Sequence, residues 1–178
     1  MNKSQIIRKL TIGTALAFVI FGFIPMIQGV QPLAQASKPI SASGTWSWIT
    51  PSTYFDVSKV ANGKTFISAD ADEVFTGTFD GTAYDVFTMT IHSKGFITGR
   101  GRTLFTGIVL GKSGTLRIQW VGNTKNDEGM WWFVWIILSG TGELANLHGQ
   151  GTCWGPGPAG PGVWGGVDYT GNIFFAPD

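Results

Sequence analysis

Few residues in this 178-residue chain carry chemistry, and their spacing limits what that chemistry can be. His92 and His148 are the only histidines, and neither stands in an H-x-x-x-H or beside a C-x-x-C, so no metal-ligand spacing is present. His148 shares a glycine-rich segment with Glu143, which makes these two the one candidate pair for general acid and base catalysis. Cys153 is the only cysteine. It lies between Thr152 and Trp154, with His148 the one cation nearby, and reads as a small buried apolar residue rather than a nucleophile. The run Asp70-Ala71-Asp72-Glu73 lacks the glycine and the terminal ligand of a calcium loop and reads as a solvated turn. Asp85, Glu128 and Asp168 are too scattered to be read as a glycosidase pair. Ser139 is not in a G-x-S-x-G elbow, and no glycine-rich loop opens a helix to cradle phosphate. No metal or cofactor is expected.

The elements that must position these residues read as strands throughout. β-Branched and aromatic residues alternate with small or polar ones, and Gly, Asp and Asn clusters punctuate them. Strands are expected at 44–50, 73–79, 82–92, 96–110, 115–121, 130–138, 149–154 and 163–175. Asp80-Gly81 and 111–114 are read as turns, 123–129 as a polar loop, and Gly99, Gly101 and Gly107 as bends or bulges. Roughly eight strands at hairpin spacing predict a single all-β domain, an antiparallel eight-stranded barrel, with a β-sandwich as the alternative.

Alternation also separates an inside from an outside. Phe87, Met89 and Ile91 share one face, opposite Thr88, Thr90 and His92; Leu116, Ile118 and Trp120 oppose Thr115, Arg117 and Gln119. The run 130–138 is apolar on both faces, so its outer side calls for cover by the chain's own ends or by a second subunit, and a homo-oligomer is one expectation.

The segment Ser139-Gly-Thr-Gly-Glu-Leu-Ala-Asn-Leu-His-Gly-Gln-Gly151 is the most specific in the chain. Its glycines and spaced leucines describe a tight corner, with Gly140 and Gly142 at positive φ and Leu144 and Leu147 plugging one barrel end. With the blocks 75–81 and 105–116, it resembles a bacterial domain-of-unknown-function family with barrels like those of allene oxide cyclase and dirigent proteins. The resemblance spans about 74–152 and implies a barrel fold without an activity. The chain departs from that pattern in its eight tryptophans, in its Gly/Pro-rich run 155–162, and in its N-terminus.

That N-terminus predicts export. Lys3, Arg8 and Lys9 precede an apolar run from Leu10 to Ile24, and Ala34-Gln35-Ala36 offers a signal peptidase site. The domains are therefore expected as 1–36, a secretory signal, and 37–178, a β-barrel in a secreted or periplasmic protein with no permanent membrane span after cleavage. Of 12 lysines and arginines, three leave with the signal and none of the 11 acids does, so the remaining domain carries a balance of −2. Without a basic patch, nucleic acid is not an expected partner.

Three functional expectations follow. One is binding of a small apolar or aromatic ligand inside the barrel, lined by Phe87, Met89, Leu116, Ile118, Trp120, Trp131, Phe133 and Trp135. Against it stands an interior filled by those same side chains. The second is steering of a reactive intermediate to one stereochemical product, as the resemblance to cyclase and dirigent barrels implies. The third is a structural, assembly or glycan-binding surface, with Trp46, Trp48, Trp154 and Trp164 as a stacking platform.

Overall fold

A computed structural model describes residues 38–49, 54–124, 130–156 and 165–177. The N-terminal segment 1–36, loop positions 125–129 with Glu128, and the stretch 157–164 with Trp164 lie outside the described residues. The described residues form nine strands and no helix. These are β1 (Ile40–Trp48), β2 (Tyr54–Ala61), β3 (Lys64–Gly77), β4 (Phe79–Ile91), β5 (Ile97–Val109), β6 (Lys112–Thr124), β7 (Trp131–Gly142), β8 (Leu147–Gly155) and β9 (Gly166–Phe175).

The expected eight-stranded antiparallel barrel is present. Each of β3 to β8 pairs with its successor, β9 pairs with β1, and β1 returns to β3. The edge of β3 is divided between two partners. Lys64–Asp70 pair with β2, which adds a strand outside the ring, and Glu73–Gly77 pair with β1 to close it. Closure leaves eight strands without free edges, which removes the template for edge-to-edge aggregation.

Alternation decides the interior. Along β4, Phe79, Ala83, Asp85, Phe87 and Met89 are buried while Asp80, Tyr84 and Val86 are exposed. Along β7, Trp131, Phe133, Trp135 and Ile137 are buried, whereas Trp132, Val134, Ile136 and Leu138 face outward at 44–52% exposure. The described residues leave that outer apolar row uncovered.

Three turn expectations are corrected. Asp80-Gly81 lies inside β4, and the chain reverses at Gly77-Thr78, where Gly77 takes φ +97°. Lys112–Gly114 belong to β6; the reversal is at Leu110-Gly111, both at positive φ (52° and 79°), as a primed turn requires. The displaced glycines serve packing instead. Gly81 pairs with Gly107 and Gly107 with Gly114 across the ladders. A Cβ on Gly107 would lie 2.8 Å from the Phe105 ring, and one on Gly114 would lie 3.1 Å from Leu144 Cγ. Nor do the glycines of β5 mark bulges, since that strand keeps one register along both neighbours. The hairpin of β2 and β3 went unread although Asn62-Gly63 (φ 52° and 69°) is a primed-turn dipeptide. Consequently Asp70–Glu73 is part of β3 and is not a turn.

One end of the barrel is plugged. Leu144 and Leu147 are fully buried beside Phe79, Val109 and Ile173. Gly142 has the expected positive φ of +63°, but Gly140 does not; a Cβ there would strike the Leu144 carbonyl oxygen. The opposite end, where β1 finishes at Trp48 and β9 begins at Gly166, holds the polar groups.

Candidate functional site: an acidic aromatic pocket at the open end

Two carboxyl groups point into the barrel, from adjacent strands. Glu73 of β3 follows Ala69 and Ala71 on the inward parity, and Asp85 of β4 precedes Phe87 on its own. Ala71 is the ladder partner of Asp85 and Ala83 that of Glu73, so the two acids are diagonal neighbours on one face. Both are fully buried.

Asp85 is well served. Thr103, opposite it on β5, donates its hydroxyl to Oδ1 at 3.1 Å, and the Trp120 indole N–H donates to Oδ2 at 2.8 Å. Trp120 reaches Asp85 because its ladder partner on β5 is Gly101. A Cβ on Gly101 would sit 2.5 Å from the indole nitrogen. Here glycine opens the space that a ring fills.

Glu73 has no such service. Neither of its oxygens has a well-formed hydrogen bond, and the nearby Trp46 indole N–H is equally unpartnered. Trp48 is the ladder partner of Glu73 across the closing seam, and Trp46 that of Phe75. Trp46 stacks on Phe75 at 4.8 Å, Trp48 on Phe87 at 5.1 Å, and Trp120 meets Phe133 edge-on at 4.9 Å. The rings of Trp46, Trp48, Trp120 and Phe133, with Gly165 and Val167, line a partly open cavity of about 20 Å³, room for one water molecule.

Burial sets the charge state. It raises the pKa of Glu73 well above the ordinary carboxyl value, and the negative charge of Asp85 raises it further; the indoles of Trp46 and Trp48 oppose this without overcoming it. Burial also pushes Asp85 up to about 6, against the hydrogen bonds from Trp120, Thr103 and the Val86 backbone. Burial and the neighbouring charge thus press Glu73 toward its protonated form, while the hydrogen bonds to Asp85 favour its negative charge. No lysine or arginine is buried among the described residues, so that charge has no internal counterion. Larger depressions lie elsewhere, one of about 870 Å³ on the outer sheet face around Gln119, Val134 and Gln150. They are shallow and open, and no buried carboxyl faces them, so size does not select the site.

The sequence candidates fall in three places. Phe87, Met89, Leu116, Ile118, Trp120, Trp131, Phe133 and Trp135 are all buried and inward, as expected of a lining, but they fill the interior. Of these, Trp120 and Phe133 wall the pocket. Glu143 lies at the plugged end and accepts hydrogen bonds from the Ser113 N–H and hydroxyl, both at 2.9 Å, which hold its carboxyl below the usual range. His148 is exposed and stacks on Phe174 at 5.4 Å. Glu143 and His148 make no hydrogen bond to each other. Cys153 is buried and free, with its thiol pushed up by burial.

The four-indole glycan platform is corrected. Trp46 is 6% exposed and Trp48 is half-buried, both turned inward, while Trp154 is exposed on the outer face. Trp154 stacks instead on Trp132, at 5.9 Å. No set of three or more His, Cys, Asp or Glu side chains among the described residues is placed to hold a metal ion. No helix among them is long and apolar enough to cross a membrane.

A family model described as "Protein of unknown function (DUF3224)" matches residues 49–154, more than half of the chain and most of the barrel. The chain belongs to this family. A solved DUF3224 structure, a protein with unknown function from Shewanella oneidensis MR-1, superposes with a TM-score of 0.60 at 14% identity. The match covers 79% of this chain and 100% of that one. At that identity the likeness concerns the fold. A search of curated proteins finds no match.

Glu73 and Asp85 were the residues sequence reasoning passed over. The signal was present: stepping back by two from Phe87 gives Asp85, and from Phe75 gives Glu73.

Proposed function

We propose that this DUF3224 barrel binds a small molecule at its open end, in the acidic aromatic pocket formed by Glu73, Asp85, Trp46, Trp48, Trp120 and Phe133. One observation carries the reading: a fully buried carboxyl, Glu73, lines a cavity with neither oxygen in a well-formed hydrogen bond. Leaving such a group unsatisfied costs about 1–3 kcal/mol. A filled structural core gains nothing from it, whereas a binding site uses it to recognise a partner. The aromatic walls suit a ligand with an apolar or aromatic body. The test is native mass spectrometry of the protein purified without detergent from its own host. An extra mass that leaves on denaturation, and that the Glu73→Gln Asp85→Asn double variant fails to carry, is the expected result. A bare mass for the parent protein would contradict the reading.

A second reading has one observation in its favour. A protonated carboxyl beside an ionised one is the arrangement an acid–base isomerase needs, so steering of a reactive intermediate fits the same pair. Turnover of a ligand recovered in the first experiment, lost on Glu73→Gln, would convert binding protein into enzyme.

Export and self-association complete the proposal. Export rests on the charged, apolar and Ala34-Gln35-Ala36 segments; cell fractionation with N-terminal sequencing tests it. Self-association, through a second copy of this chain, rests on the exposed row Trp132, Val134, Ile136 and Leu138. Light scattering of the purified domain tests that.

A further inference from the structure

The chemistry of the pocket specifies its ligand more closely, on the assumption that the pocket is the binding site. Its polar groups are the carboxyls of Asp85 and Glu73 and the indole N–H groups, and it holds no basic side chain. Among the buried described residues the charged groups are the two carboxyls alone. Its walls are the π-faces and edges of Trp46, Trp48, Trp120 and Phe133. A carboxylate ligand would meet the charge of Asp85 with its own. A neutral apolar ligand would leave Glu73 unsatisfied. A cation gains on both counts, because aromatic faces attract positive charge and a desolvated carboxylate needs a counterion.

We propose that the pocket takes a primary ammonium group on a short apolar stem, with Glu73 and Asp85 as its anionic partners and the three indoles as its walls. The hydrogen-bond count favours a primary ammonium over a quaternary one. Three N–H donors can be shared between the unpartnered oxygens of Glu73 and the remaining lone pairs of Asp85, whereas a quaternary head offers none. Size favours it too. The cavity of about 20 Å³ receives a compact head, and because it is only partly enclosed the stem can extend out of it. A metal ion is a poor fit, since two carboxyls among indoles supply too few oxygen ligands for a hard cation.

Binding has a proton consequence. The ammonium pairs with the carboxylate of Asp85, and its positive charge beside Glu73 weakens that group's hold on its proton, so binding promotes release of the proton to solvent. Ionised, Glu73 also has acceptor sites to spare for the orphaned Trp46 N–H. The titratable groups that face Glu73 are Asp85 on β4 and the Cys153 thiol on β8. The neighbouring side chains of β1, β6, β7 and β9 at the pocket are indoles, Phe133 and Val167.

The experiment is calorimetric titration of the purified protein with butylammonium, and in parallel with the neutral 1-butanol, at neutral pH in two buffers of different ionisation enthalpy. The expected result is saturable binding of butylammonium at least tenfold tighter than 1-butanol, with proton release and a change in indole fluorescence. Glu73→Gln and Asp85→Asn should each weaken it at least tenfold, and Asp168→Asn, an exposed change on β9, should leave it unaltered. Near-UV circular dichroism of the variants confirms that the pocket is folded. Equal binding of the alcohol would overturn the cationic assignment and leave the pocket standing as a ligand site. Cation binding undiminished in both carboxyl variants would overturn this location. Binding of neither probe would overturn the ammonium assignment alone, and a bare native mass for the parent protein would overturn the pocket with it.

Discussion

The indole N–H of Trp120 donates to Asp85 at 2.8 Å, while Glu73, one strand away and just as deeply buried, has no comparable partner. This asymmetry separates the two acids. Two side-chain donors favour the anion of Asp85, whereas burial and the neighbouring charge press Glu73 toward its protonated form. A barrel that needed only to be filled has cheaper residues available at both positions.

Trp120→Phe tests the first half of that relationship. It keeps most of the ring and deletes the donor, so the Asp85 pKa should rise above its present value of about 6. Loss of a hydrogen bond to a charged group is worth about 1.5–3 kcal/mol, less where Asp85 responds by taking up a proton. Denaturant unfolding at neutral pH measures the cost, which should shrink at acid pH.

The pH dependence has a definite sign. Both interior acids hold protons more tightly folded than unfolded, so the native state binds the extra protons and stability falls as pH rises through their range. For Asp85 that range runs from 3.8 to about 6, and Glu73 carries the loss higher. Glu73→Gln should therefore gain on the parent protein as pH increases, read as a rise in the variant's unfolding midpoint minus the parent's. A fall in that difference with pH would contradict the raised affinity of Glu73 for its proton.

Gly101→Ala should disturb the site without touching a carboxyl. The new methyl group would overlap the Trp120 indole, pushing it off Asp85, at a cost of about 1–3 kcal/mol for overpacking. Red-shifted tryptophan emission and a lower melting temperature are the expected readouts. Gly95→Ala is the wrong control, since its φ of +86° brings strain of its own; Ser41→Ala, on the exposed face of β1, serves better.

Leu144→Ala should open the plugged end. The residue is fully buried under the 139–151 corner, and such truncations cost about 2–5 kcal/mol. Because the pocket is at the other end, butylammonium binding to the folded fraction should be unaltered. A matched loss of binding would mean that the two ends are coupled.

The sequence carried the barrel well and the site poorly, for one physical reason. Period-2 alternation of large apolar residues identifies inward faces, and Phe87, Met89, Leu116, Ile118 and Trp120 were all placed correctly by it. A carboxyl on that face breaks the apolar pattern, so Glu73 was absorbed into a polar turn and Asp85 was left as a scattered acid. The turns failed for a related reason. Gly81 and Gly114 look like turn residues, yet they provide room for Phe105 and Leu144, a role that appears only when the strands are side by side.

The most direct test of the account is carboxyl NMR of Glu73 and Asp85 across pH, with and without butylammonium. The account predicts that both groups titrate above the usual carboxylate range as an interacting pair, and that the cation drives both transitions to lower pH. Titration of both within the usual carboxylate range, unmoved by the cation, would contradict it.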